Sequence, residues 1–91
     1  MRYIICYDIS ENPVRTRLAK YLESIAWRVQ YSVFSFEGSE AKMHIVRNRL
    51  RAIVKSAESP HILVIPLCAS CADKTWRIGE LQEPERTAFV L

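Results

Sequence analysis

Two short stretches of this chain, Tyr3-Ile4-Ile5-Cys6-Tyr7 and Ile62-Leu63-Val64-Ile65, are apolar on both of the faces that a strand presents. A strand with one face on a core and the other in water alternates apolar with polar side chains, so a strand apolar on both faces is covered twice. The intervening residues supply only two amphipathic helices. Val14, Leu18, Leu22 and Ile25 recur at helical spacing over about 13–25, and Met43, Val46, Leu50, Ile53 and Ala57 mark a second stripe. Ser10-Glu11-Asn12-Pro13 opens the first helix, with Asn12 suited to the N-cap and Pro13 to the first helical position. Two helices cover one face of one sheet. The other face is left for a second copy of the chain, most simply across a two-fold axis, and an obligate homodimer is expected.

The topology follows from the order of these stretches. Residues 2–9 read as a first strand, the aromatic and β-branched run 27–37 as a second, and 61–67 as a third; residues 74–79 and 87–91 are weaker strand candidates. Gly38-Ser39 separates the second strand from the second helix, and Ser59-Pro60 ends that helix. Strand–helix–strand followed by helix–strand points to an α+β fold, a ferredoxin-like α/β sandwich with an antiparallel sheet, two helices on one face, and dimerisation through the sheet. Such a fold needs two strands between its helices, so 27–37 has to bend or split near Ser32. With 91 residues and 49% hydrophobic content, the chain is one ordered domain, 1–91.

No apolar run approaches the ~18 residues of a membrane span, and the opening strand meets Asp8 too early for a secretory signal. Three cysteines without disulfide-scaffold density suit reduced thiols and a cytoplasmic location. Cys68 and Cys71 form a CxxC. A metal reading needs four ligands, and Cys6, His44 and His61 are scattered. A redox reading needs the motif to open a helix, whereas here it follows a strand and precedes a strand-like stretch. A structural role is expected for both thiols.

Charge is unevenly spread. Residues 1–57 carry ten basic and five acidic side chains, whereas residues 58–91 carry three and five. A concentrated positive half is the footprint of a phosphate partner, although solvated helix faces produce the same count. Within it, Asp8 ends an apolar strand. Its carboxylate either makes an Asx turn into the helix or binds a hard divalent cation, which takes one or two carboxylates and completes its shell with water and phosphate. A dimer axis near this strand end would supply Asp8 twice.

Arg15 and Arg17 stand near the start of the first helix, where the dipole disfavours cations. They either clamp a phosphate or pair with Glu11. Arg47, Arg51 and Lys55 form a basic stripe on the second helix, suited to backbone contacts with nucleic acid or simply to solvent. In 27–36, Trp27, Val29, Tyr31 and Val33 read as a core face. Arg28, Gln30, Ser32, Phe34 and Phe36 form the other face, with the two phenylalanines as dimer contacts.

Taken in order, Tyr7-Asp8-Ile9, Arg15-Thr16-Arg17-Leu18, Arg28-Val29-Gln30-Tyr31-Ser32-Val33-Phe34 and Ile65-Pro66-Leu67 resemble the small CRISPR-associated endonuclease of the spacer-acquisition machinery. The resemblance spans roughly residues 1–68. It implies a ferredoxin-like homodimer with Mg²⁺, or another divalent cation such as Mn²⁺, between the two copies of Asp8. It also implies cleavage of single-stranded RNA or double-stranded DNA, and partnership with the CRISPR integrase in antiviral defence. By the same resemblance Asp8 is the metal ligand, and Tyr7, Arg15, Arg17, Arg28 and Phe34 are tied to activity. Residues 85–91 would form a C-terminal strand used in subunit or integrase contacts. Relatives carry a Gly between the first helix and the second strand where this chain has Ile25-Ala26-Trp27. Alternative readings are a non-catalytic DNA-binding scaffold of the integrase complex and a related messenger-RNA-cleaving toxin.

Overall fold

The computed structural model describes residues 1–79 of the chain. Their order is β1 (Arg2–Asp8), α1 (Asn12–Ile25), β2 (Trp27–Gln30), β3 (Val33–Glu37), α2 (Glu40–Ile53), β4 (His61–Leu67) and α3 (Ala69–Lys74). The four strands form one antiparallel sheet in the order β2-β3-β1-β4. This is the expected ferredoxin-like arrangement, with β3 inserted between the two strands that α1 connects.

The aromatic run does split near Ser32. Tyr31-Ser32 forms a turn, and the Ser32 carbonyl accepts a hydrogen bond from the Tyr7 amide at 3.1 Å, which fixes the hairpin to the end of β1. A bulge between Arg28 and Gln30 moves Gln30 to the face of Val33, away from Arg28. One grouping from the sequence survives, with Trp27 and Val33 on one face and Arg28, Phe34 and Phe36 on the other. The assignment of the core is reversed. Phe34 and Phe36 are buried beneath the helices with Tyr3, Ile5 and Tyr7, so neither is a dimer contact. The apolar stripes Val14-Leu18-Leu22 of α1 and Met43-Val46-Leu50 of α2 close over these rings.

The opposite face of the sheet carries Ile4, Cys6, Trp27 and Val33, all half-buried, and Leu63 and Ile65, which are 59% and 40% exposed. The helices therefore cover one side only.

Several ends differ from expectation. The N-cap of α1 is Glu11 in extended geometry, with Asn12 and Pro13 both inside the helix. Asn12 is drawn inward because its side chain accepts from Arg15 instead of capping. The missing glycine after α1 has no consequence: Ala26 leaves the helix at φ −145°, a conformation open to any residue. The segment after β4 is helical, and no strand forms over 74–79. Residues 85–91, expected as a C-terminal strand, lie outside the described residues.

Candidate functional site

One end of the sheet gathers most of the singled-out side chains. It comprises the C-terminal end of β1, the β2–β3 turn, the start of α1 and the start of β4. The α2–β4 connection joins it through the Glu58 amide, which donates to Glu11 Oε2 at 2.9 Å.

Asp8 is the last residue of β1 and is exposed. No hydrogen bond or ion pair involves its carboxylate among the described residues, so the Asx turn does not form. The register places His61, the first residue of β4, directly opposite it, and a shallow cleft is lined by Cys6, Tyr7, Asp8, His61, Ile62 and Leu63. An unengaged carboxylate beside an imidazole suits a divalent cation, which needs few protein ligands. No group of three or more His, Cys, Asp or Glu side chains that could hold a metal occurs among the described residues. Sequence reasoning missed His61. A partner 53 positions away is chosen by strand register, and no local signal announces it.

Tyr7, Arg28 and Phe34 form a separate layer on the helix-covered side. The Tyr7 and Phe34 rings stack with centroids 6.2 Å apart, and the Arg28 guanidinium lies 4.8 Å from the Phe34 centroid. Arg28 also pairs with Glu23 of α1 at 2.8 Å and donates to the Tyr31 carbonyl in the turn. Burial raises the Tyr7 phenol above its usual range, opposed by the charge and hydrogen bond of Arg28. Phe34 is fully buried, so it reaches no substrate and can act only by holding Arg28 and Tyr7 in place.

The remaining cations divide by what they touch. Arg15 donates to the Ile9 and Ser10 carbonyls at 2.8 and 3.2 Å and to Asn12 Oδ1. Its guanidinium thus clamps the β1–α1 loop behind Asp8, a role neither sequence reading anticipated. Arg17 and Arg47 are exposed and make no hydrogen bond or ion pair among the described residues. Arg51 reaches Asn48 at 3.3 Å. Arg47 and Arg51 flank a groove between α2 and β4 floored by Leu50, Val54, Ile62 and Val64. Arg49, though exposed, lies 5.2 Å from the Tyr21 ring centroid and so links α2 to α1.

The family CRISPR associated protein Cas2 matches residues 1–75. A relative from Chloroflexus aurantiacus, "CRISPR-associated endoribonuclease Cas2 1", is 35% identical over 85 residues, 93% of this chain and 91% of that protein. Another from Rhodospirillum rubrum, "CRISPR-associated endoribonuclease Cas2 4", is 37% identical over 82 residues, 90% of this chain and 65% of that protein. A chain in the solved structure "Partial Cas6-RT-Cas1--Cas2 complex" superposes with a TM-score of 0.76 and 26% identity, covering 99% of this chain and 98% of that one.

Proposed function

The chain belongs to the CRISPR-associated Cas2 family, and from that premise we propose that it is a divalent-metal-dependent nuclease that works as a homodimer alongside the CRISPR integrase. The observation that carries this reading is the Asp8 carboxylate, exposed at the end of a central strand and unengaged among the described residues. Relatives named endoribonucleases support RNA as a substrate; single-stranded RNA is the first candidate in this reading and double-stranded DNA the second. The neighbour solved in a Cas1–Cas2 complex supports the integrase partner.

In this reading Asp8 and its twin in a second copy would hold Mg²⁺ or Mn²⁺, whose chemistry there is to make bound water more acidic and offset charge on phosphate oxygens. Arg15 holds the loop that follows Asp8, and Phe34 with Arg28 holds the Tyr7 ring on the helix-covered side of β1. Arg17 offers, at the same end, a guanidinium that is unpaired among the described residues for a backbone phosphate. Homodimerisation is supported by the uncovered sheet face with Leu63 and Ile65. The composition supports a cytoplasmic location, and no helix among the described residues is long and apolar enough to cross a membrane.

The test is a metal titration of cleavage on matched single-stranded RNA and double-stranded DNA, comparing wild type with Asp8→Ala. Loss of metal-dependent cleavage by roughly a hundredfold or more, with nucleic-acid binding retained, is expected; removal of one electrostatic transition-state contact costs that order of rate. Cleavage that survives the substitution at every metal concentration would remove Asp8 from the mechanism. A second reading, a DNA-binding scaffold without cleavage, draws on the exposed Arg17, Arg47 and Arg51. It predicts binding by both proteins and cleavage by neither.

A further inference from the structure

Cys68-Ala69-Ser70-Cys71 is not absorbed by the nuclease reading, and the strand-like context that argued for a purely structural motif is absent. Cys68 directly precedes α3, and Cys71 lies in its first turn. Both thiols are exposed. The Ser70 hydroxyl lies 3.3 Å from the Cys68 sulfur, within hydrogen-bond reach, and Cys71 follows three residues on, about one helical turn away. Local donors, the Ser70 hydroxyl first and Cys71 next, bring Cys68 down to about 7, while the neighbouring Cys68 raises Cys71. A six-residue helix contributes little dipole, so the local donors account for the effect. The third cysteine, Cys6, is half-buried in β1 and has neither neighbour.

We propose that Cys68 and Cys71 are a thiol–disulfide exchange site that closes a reversible intramolecular disulfide, with a low-molecular-weight disulfide such as oxidised glutathione as the oxidant. The Cys68 thiolate attacks one sulfur of that disulfide, forming a mixed disulfide and releasing one thiolate. Cys71, losing its proton to solvent, then attacks the Cys68 sulfur and expels the second thiolate. Two electrons pass from the protein dithiol to the small disulfide, which leaves as two thiols. The bridge ties the residue that follows β4 to the first turn of α3, and so fixes the direction in which the chain leaves the sheet. This site is independent of the chemistry at Asp8.

The full 91-residue chain is equilibrated with mixtures of reduced and oxidised glutathione and read by intact mass and peptide mapping. Loss of the two thiol hydrogens is expected, mapped to a Cys68–Cys71 bridge and reversed by dithiothreitol. Cys71→Ser should stop at a glutathione adduct on Cys68. In the reduced wild type, a thiol-specific probe at pH 7 should label Cys68 about tenfold faster than Cys71 by peptide mapping, following the difference in thiolate fraction. Stable single adducts on both cysteines of the wild type, or bridges only between chains, would overturn the proposal. Labelling of Cys6 as fast as Cys68 would do the same.

Discussion

Tyr7 shows how one side chain joins packing to pH dependence. Its phenol is buried against Phe34, and the folded state holds its proton above the usual range despite Arg28. Below the unfolded value of about pH 10 both states are protonated and the burial contributes in full. As pH rises past it, the unfolded chain releases the proton while the folded chain keeps it, so stability falls. Tyr7→Phe keeps the stacked ring and removes the proton, and its urea midpoint should decline less than wild type between about pH 9 and 11. Equal declines would place the alkaline sensitivity elsewhere. Arg17 gives a second residue-scale expectation. Exposed and without an ion pair among the described residues, it can displace a counterion from a nucleic-acid phosphate, so Arg17→Ala should reduce the salt slope of binding by about one unit. Arg15→Ala should instead loosen the loop it clamps, through the lost bonds to Ile9 and Ser10.

Among the elements, the junction between β3 and α2 is the most tightly specified. Ser39 caps α2 by accepting from the Lys42 amide at 3.1 Å, with Glu40 in the first turn. Just before it, a Cβ on Gly38 would sit 2.8 Å from the Phe36 ring, closer than atoms can approach. Ser39→Ala should cost about 1 kcal/mol in denaturant unfolding, the usual worth of an N-cap. Gly38→Ala should cost about 1–3 kcal/mol by displacing a packed aromatic ring. A larger loss for the cap than for the glycine would mean that Phe36 yields easily. Most element boundaries were legible beforehand because periodicity and Gly, Ser and Pro punctuation are local, although α2 ends at Ile53 and not at the expected Ser59-Pro60. The other exceptions have identifiable causes: Arg15 captures Asn12 from its capping role, and the bulge at Arg28–Gln30 breaks the alternation that a single strand would have kept.

At the scale of the molecule, the described residues cover one face of the sheet and leave the other largely open, where Leu63 and Ile65 stand exposed beside the half-buried Ile4 and Cys6. If a second copy covers that face, Ile65→Glu should yield a folded monomer by sedimentation, whereas Ile5→Glu, inside the helix-covered core, should abolish folding. A wild type that remains monomeric at working concentrations would contradict the dimer. By itself the amino-acid order determined the ferredoxin-like class, the break near Ser32, and the carboxylate at a strand end with arginines opening the next helix. Each of these is written in spacing along a few consecutive residues. Only the tertiary structure decided that Phe34 and Phe36 face the helices, that Arg15 serves its own loop, that His61 stands across from Asp8, and that Cys68 and Cys71 meet at a helix. Alternation separates two faces of a strand without saying which is inside. That choice, like strand register, is made by contacts between residues far apart in the chain.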